Sequence, residues 1–169
     1  MATFAPCPSS TRVGPVSDQQ SSGVVLLVED EPLVRLVTAE ILQEAHFRVI
    51  EAAGAEEALR VLEAGVAVDV LLSDVEMPPG MNGYELARHV HGHWPSVGIL
   101  ISSGREWPRE TDLPPGATFL AKPYANATLV SHAQAAARRA QETRHRLQQH
   151  REAGPAGGNS PAGIISKTA

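Results

Sequence analysis

Three carboxylates directly follow an apolar run near the start of the chain, in the segment VVLLVEDEPLV at residues 24–34. Glu29, Asp30 and Glu31 stand where a buried segment ends, and clustered negative charges repel each other and lose hydration. A hard divalent cation offsets this cost, because Mg²⁺ takes carboxylate oxygens as ligands and usually keeps several waters. The segment therefore predicts a magnesium site at the end of a buried strand.

Three further side chains could complete a site for a phosphoryl group. Asp74 ends a second apolar run, in LLSDVEMPPGMNG, where the Pro- and Gly-rich turn can hold a fixed backbone path. Ser103, in ISSG, supplies a hydroxyl, and Lys122, in LAKPY, supplies a compact cation in a chain that uses lysine only twice. A metal ion and a lysine would neutralise phosphoryl oxygens, so that Asp74 could attack as a nucleophile and form an aspartyl phosphate.

The elements that must position these side chains alternate between two kinds of segment. Short β-branched or apolar runs predict strands at residues 24–28, 47–52, 68–74, 97–102 and 117–121. Strands that alternate with helices predict parallel β–α–β units, with helices on both faces of a central sheet. In such sheets ligands bind at the carboxyl ends of the strands, which is where the acidic residues would meet.

Helical spacing fills the intervals between the strands. The first helix follows Pro32, and its apolar stripe consists of Leu33, Leu36, Val37, Ile41 and Leu42. The other predicted helices cover residues 55–63, residues 83–93 and a last stretch from about residue 126 towards residue 150. Between residues 103 and 116 the sequence GREWPRETDLPP contains three prolines, so the fourth helix is expected to be short or missing.

Four pieces of sequence carry a resemblance to a known family. VVLLVEDE, LLSDVEMPPGMNG, ILISSG and FLAKPY lie in this order between residue 24 and about residue 139. On the alternating pattern they resemble a response regulator receiver domain of two-component signalling. The resemblance implies an α/β, flavodoxin-like (βα)5 fold, which is a doubly wound parallel sheet with strand order 2-1-3-4-5.

The resemblance also implies a metal site. Asp30 and Asp74 would be Mg²⁺ ligands, the backbone carbonyl of Glu76 would be a third, and Glu29 would act through water. Asp74 would be the phosphoacceptor. Glu31 is better interpreted as an acid in the first turn of a helix than as a ligand.

A second set of roles concerns switching. The resemblance implies that Ser103 moves to bond the phosphoryl group and that Lys122 binds it, ahead of a cis peptide bond to Pro123. Phe119 would occupy the aromatic switch position. Ser102 also carries a hydroxyl that could bond the phosphoryl group, but the glycine that follows Ser103 favours Ser103.

Two charged residues follow the phosphoacceptor and the switch serine at the same interval. Glu76 comes two residues after Asp74, and Arg105 comes two residues after Ser103. We hypothesise that these two side chains approach each other over the site and influence the access of water.

The function implied is that of a phosphorylatable switch that is not an enzyme. Asp74 would accept a phosphoryl group from a phosphohistidine of a histidine kinase or phosphotransfer protein, with output through an unknown downstream protein or as a phosphate sink. Two alternatives stay open. One is a pseudo-receiver scaffold that is not phosphorylated, and the other is a Mg²⁺-dependent phosphohydrolase with Glu76 in the position of its second acid.

The expected organisation is a leader at residues 1–22 without order, a stand-alone receiver at residues 23–140, and an extended basic helix end followed by a loose tail at residues 141–169. Residues 24–137 hold 16 acidic residues against 7 Lys and Arg, whereas residues 138–169 hold 2 against 6. An acidic body makes nucleic-acid binding unlikely. We expect a monomer or weak dimer, because the missing helix reshapes the usual dimer face. We also expect a location in the bacterial cytoplasm and no membrane segment.

Three histidines in the segment RHVHGHWP invite a metal site. His89 and His93 are spaced to share a helix face, but His91 is not. Solvated histidines at a helix end, favoured by the helix dipole, are the preferred interpretation.

Overall fold

The computed structural model describes residues 21–105, 107–109 and 111–152. The strands are β1 (Gly23–Val28), β2 (Phe47–Ala52), β3 (Val70–Asp74), β4 (Gly98–Ser103) and β5 (Thr118–Ala121). The helices are α1 (Pro32–Glu44), α2 (Ala55–Glu63), α3 (Gly83–His93) and α4 (Asn126–Glu152). The expected loose tail from residue 153 and all but the last two residues of the expected leader lie outside the described ranges.

All four strand pairings are parallel, and the order β2-β1-β3-β4-β5 confirms the predicted topology. Asp74 pairs with Ser102, and Ser103 pairs with Ala121, so β3, β4 and β5 end at one edge of the sheet. Because parallel strands share a direction, every candidate side chain that follows a strand emerges at this edge.

The sheet is buried on both faces, as its nearly continuous apolar strands require. Alternate residues of one strand point to opposite faces: Leu27 packs with α1 and α4, and Leu26 packs with α2 and α3. Both leucines are buried, and full burial of such a side chain stabilises the fold by roughly 1.5–3 kcal/mol.

The first helix is confirmed, but only the Ile41 and Leu42 end of the predicted apolar stripe packs against the core. Leu33, Leu36 and Val37 are 70%, 51% and 54% exposed, whereas Thr38, Ala39 and Leu42 are buried. Leu42 packs in the core together with the small side chain of Ala39, whereas the three large side chains nearer the start of the helix are left on the outside. Periodicity located the helix, but it could not tell which apolar side faces the sheet.

The connection from β4 to β5 contains no helix among its described residues, which confirms the expected loss of the fourth helix. A local turn replaces it, in which the backbone N–H of Asp112 donates to the Arg109 carbonyl at 3.0 Å and the Arg109 N–H donates to the Asp112 carboxylate at 2.8 Å. The exposed ring of Trp107 lies over Phe119, with ring centroids 5.6 Å apart. The face that a helix would cover is therefore covered by loop and aromatic residues.

The last helix extends beyond the sheet, and its far part is attached to the body. Arg144 donates to the Val68 carbonyl at 3.1 Å and to Asp69 Oδ1 at 2.9 Å, while Asp69 Oδ2 accepts the backbone N–H of Val24 at 2.7 Å. One arginine thus ties α4 to the amino ends of β1 and β3. Within the described ranges, none of the helices combines the length and the apolar content that a bilayer crossing requires.

Candidate functional site

Carboxylates from two loops converge at the carboxyl edge of the sheet. Glu29 and Asp30 follow β1, Asp74 ends β3, and one oxygen of each lies within 4.8 Å of the others. Glu29 is buried and Asp30 is exposed. Three hard oxygen donors at this spacing match the ligands that Mg²⁺ prefers, so the residues present fit the implied ion.

The loop after β1 is held in place by its own backbone and by one arginine. The N–H of Glu29 donates to the Ala52 carbonyl at 3.2 Å, which continues the sheet pairing for one residue. Arg35 donates to the Glu29 carbonyl at 2.6 Å and pairs with Glu51 of β2 at 3.4 Å. Sequence reasoning assigned Arg35 no such role, because the arginine is six residues away from Glu29 and lies in the next element.

Lys122 reaches the acidic residues from the end of β5. Its Nζ lies 2.8 Å from Asp74 Oδ1 and 2.9 Å from Glu29 Oε2, and its backbone N–H donates to the Ser103 carbonyl at 2.8 Å. The peptide bond from Lys122 to Pro123 is cis, as expected. One ammonium group therefore joins the carboxylates of two separate strands.

These contacts shift two pKa values. Burial raises the pKa of Glu29 above its usual 4.5, and the hydrogen bond and charge of Lys122 oppose that rise without cancelling it. Burial lowers the pKa of Lys122, but its hydrogen bonds to Asp74 and Glu29 and their negative charges outweigh burial, so the pKa lies above 10.5. Lys122 consequently stays charged beside the carboxylates throughout the neutral range.

The turn after Asp74 is shaped by a glycine and two prolines. The N–H of Glu76 donates to Asp74 Oδ2 at 3.2 Å, so the backbone of the loop that follows Asp74 holds its carboxylate in place. A Cβ at Gly83 would overlap the backbone carbonyl of Asp74, so only glycine lets α3 begin this close to β3. The Pro78–Pro79 peptide bond is also cis, which the sequence analysis did not anticipate.

Glu76 and Arg105 meet over the site, as hypothesised. The Arg105 Nη1 and Glu76 Oε2 atoms are 3.1 Å apart, and both side chains are substantially exposed. Both residues line a cleft of about 680 Å³ together with Glu29, Asp30 and Asp74. The ion pair therefore lies at the wall of the space that a ligand of Asp74 would enter.

The two serines at the end of β4 point to opposite faces of the sheet. Ser102 shares a hydrogen bond with Tyr124, whose pKa is raised above 10.0 by burial. Ser103 lies in a small cavity of about 60 Å³ with Phe119 and Lys122, and its Oγ accepts the Arg105 N–H at 3.3 Å. Ser103 is thus the serine that adjoins the implied aromatic switch, and its cavity shares Gly104, Arg105 and Lys122 with the acidic cleft.

An apolar groove opens beside the acidic cleft. Its volume is about 430 Å³, and it is lined by Leu33, Val34, Val37, Thr38, Ile41, Lys122, Pro123 and Tyr124. Val34 and Lys122 belong to both spaces, so the groove is continuous with the site. The exposed side of α1 described above forms one wall of the groove.

Comparisons with known proteins agree with this geometry. The family model for the response regulator receiver domain matches residues 25–134. The sensor kinase CckA of Brucella abortus is 38% identical over 117 residues, which cover 67% of this chain and 12% of the kinase. The chain thus spans about an eighth of the length of the sensor kinases that it matches.

Solved structures show the same fold. The receiver domain of the hybrid histidine kinase CckA is 36% identical, with a TM-score of 0.59, and the match covers 68% of this chain and 99% of that domain. The response regulator TrrA of Thermotoga maritima, solved in complex with Mg²⁺ and BeF, is 24% identical, with a TM-score of 0.60 and coverage of 68% and 98%.

Proposed function

The chain belongs to the response regulator receiver domain family of two-component signalling, and from that premise we propose that Asp74 is its phosphoacceptor. The observation that carries the proposal is the position of Lys122 Nζ, 2.8 Å from Asp74 and 2.9 Å from Glu29, beside a carboxylate cluster that includes Asp30. This arrangement combines a nucleophilic carboxylate with a cation for phosphoryl oxygens and with donors for Mg²⁺.

In the proposed reaction a carboxylate oxygen of Asp74 attacks the phosphorus of a phosphohistidine. The new O–P bond forms as the N–P bond breaks, and the leaving imidazole nitrogen keeps the electron pair and takes up a proton from solvent. Lys122 binds an oxygen of the transferred group, and Ser103 moves from its own cavity to donate a hydrogen bond to it. Bound Mg²⁺ would neutralise charge on the phosphoryl oxygens. Asp30, Asp74 and the Glu76 carbonyl would hold the ion, with Glu29 reaching it through water.

The proposed phosphodonor is a histidine kinase or a histidine phosphotransfer protein, which docks on the apolar groove of α1. The groove adjoins the acidic cleft, so a partner seated there brings its phosphohistidine to Asp74. The similarity to a bacterial sensor kinase supports this class of partner and a bacterial cytoplasmic setting. We propose that the phosphorylated protein then acts on a further protein or serves as a phosphate sink. In either case it is a switch without an enzymatic activity of its own.

Incubation with phosphoramidate and Mg²⁺ tests this function, because phosphoramidate carries an N–P bond and needs no cognate partner. Intact-protein mass spectrometry should detect one added phosphoryl group on the wild type and on Asp112→Asn, a matched change away from the site. Asp74→Asn should gain none, and chelation of Mg²⁺ should abolish the gain. Phosphorylation that persists in Asp74→Asn would refute the assignment, and turnover of small phosphoesters would favour the phosphohydrolase instead.

A further inference from the structure

A cavity lies at the amino edge of the sheet, opposite the acidic cleft. Its walls come from the end of α3, the start of β4, the turn that leads into β5 and the middle of α4. Its volume is about 160 Å³. Because an apolar cavity of about 150 Å³ in a protein can hold one benzene molecule, this space has room for a single small ligand.

The polar side chains that line this cavity can all donate hydrogen bonds, and they are those of His91, Ser96, Arg139 and Thr143. Within the part of the chain that the structure describes, no residue forms a hydrogen bond or ion pair with any of these four side chains. Arg139 and Thr143 are four residues apart on α4, so they share a face of the helix. His91 and Ser96 come from α3 and the turn after it, and uncommitted donors from two separate parts of the fold therefore adjoin one space.

The charges around the cavity favour an anion. Among the described residues no Asp or Glu lines it, although residues 24–137 hold 16 acidic residues against 7 Lys and Arg. Asp69 lies beside the start of β4, where its carbonyl accepts the Gly98 N–H at 2.9 Å, but its carboxylate is paired with Arg144 at 2.9 Å. The negative charge of Asp69 is therefore offset, and the guanidinium of Arg139 gives the lining a net positive charge.

Two hydrogen-bonded turns hold the walls of the cavity. The Ala117 N–H donates to the Pro114 carbonyl at 3.1 Å, and Gly116 has the positive φ of 81° that the third position of a type II turn requires. The turn before β4 is closed in the same way, since the Val97 N–H donates to the Trp94 carbonyl at 2.9 Å. A ligand would therefore meet walls that are already ordered, which lowers the entropy lost on binding.

We infer that this cavity binds a small tetrahedral oxyanion, either inorganic phosphate or the phosphate group of a small ester. The planar guanidinium of Arg139 presents two parallel N–H donors, which match two oxygens of a phosphate. The remaining oxygens of a tetrahedral anion face the other walls, where the hydroxyls of Ser96 and Thr143 and the ring of His91 supply donors. A carboxylate has only two oxygens and would leave some of these donors without a partner.

Titration of the full chain with inorganic phosphate, followed through its backbone amide resonances by NMR, tests the site. EDTA is present throughout, so that no metal ion draws phosphate into the acidic cleft, and the ionic strength is held constant. We expect saturable shifts of the Gly98 and Gly116 amides and no shift of the Glu76 amide beside the cleft. Sulfate should compete, whereas acetate should bind several-fold more weakly. Glycerol 3-phosphate distinguishes the two sources, since affinity equal to that of phosphate assigns the site to esters as well, and weaker binding assigns it to the free anion.

Arg139→Ala should weaken phosphate binding by at least about tenfold, because it removes hydrogen bonds between charged groups. Thr143→Val keeps the shape of the side chain without its hydroxyl and should weaken binding several-fold. Arg138→Ala is the matched control, because it removes the same charge from the preceding, exposed position of α4, outside the lining of the cavity.

Shifts that grow without saturation, or that occur only beside the acidic cleft, would overturn the site. Equal losses of affinity in Arg138→Ala and Arg139→Ala would do the same, and acetate binding as tight as that of phosphate would overturn the tetrahedral ligand. Phosphorylation of Asp74 plays no part in any of these outcomes.

Discussion

At the carboxyl edge of the sheet, the position of each acidic side chain depends on contacts with neighbouring residues. Asp74 is fixed by Lys122 through one oxygen and by its own loop through the other. Glu29 shares the same ammonium group while its carbonyl is held by Arg35. Each acid therefore has a defined position before any ligand arrives, which is what electrostatic preorganisation requires.

The Arg105–Glu76 ion pair leads to a prediction about the lifetime of the aspartyl phosphate. Arg105→Ala removes an exposed side chain from the wall of the cleft, so water should reach the phosphoryl group more easily and shorten the lifetime several-fold. Loss of label from phosphorylated protein over time measures this effect. Arg109→Ala, in the same connection but hydrogen bonded through its backbone, is the control, and an unchanged lifetime in Arg105→Ala would dismiss the role.

Secondary structure elements decide which apolar residues are available to partners. The helix α1 buries Ala39 and Leu42 and leaves Leu33, Val34 and Val37 exposed in the groove beside the acidic cleft. Exposed apolar surface next to a reactive group is costly to keep in water, and its usual explanation is a binding partner. The proposed docking role of α1 therefore rests on which side of the helix is buried.

Val37→Asp should separate docking from chemistry. Val37 is 54% exposed, so the fold should tolerate the charge. Phosphotransfer from a histidine kinase or phosphotransfer protein should slow by about tenfold or more, equivalent to about 1.4 kcal/mol, because the carboxylate must be desolvated in an apolar contact. Phosphorylation by phosphoramidate should not change. Val66→Asp, at a valine that is 41% exposed outside the groove, is the control, and equal slowing in both variants would argue against the groove.

The attachment of α4 to the amino ends of the strands predicts a role in stability. Among the described residues, Arg144→Ala leaves the buried carboxylate of Asp69 with the Val24 N–H as its one remaining hydrogen-bond partner, which should lower the free energy of unfolding by roughly 1–3 kcal/mol. Urea denaturation measures this change. Arg146→Ala removes an exposed arginine from the next turn and should have little effect, and equal losses in the two variants would show that the contact is not responsible.

The protein as a unit should lose stability at alkaline pH. The pKa values of Tyr124 and Lys122 are raised above 10.0 and 10.5 in the folded state. As the pH rises, the unfolded chain therefore releases these protons first. The contribution of the two groups to stability is complete below about pH 10 and is lost as the pH rises through their folded-state pKa values. Denaturation series above about pH 8 should show a shallower alkaline decline for Tyr124→Phe than for the wild type. Identical declines would contradict the burial of this hydroxyl as the cause.

Much of the fold could be predicted from the sequence because its signals are local. Continuous apolar runs mark buried parallel strands, helical spacing marks the intervals, and prolines remove the fourth helix. The acidic cluster could also be predicted, since residues that follow parallel strands emerge at one edge. The family resemblance supplied the proposed roles of Ser103, Lys122 and Phe119, which periodicity alone does not give.

Contacts between residues far apart in sequence could only be decided by the tertiary structure. No local pattern reveals that Arg35 holds the Glu29 carbonyl, that Gly83 must lack a side chain beside Asp74, or that Arg144 reaches Asp69. The same holds for the outward side of α1, since an apolar stripe indicates a helix without saying what lies opposite. Short-range backbone preferences are encoded along the chain, whereas the distances between side chains from different strands and helices exist only after the chain has packed.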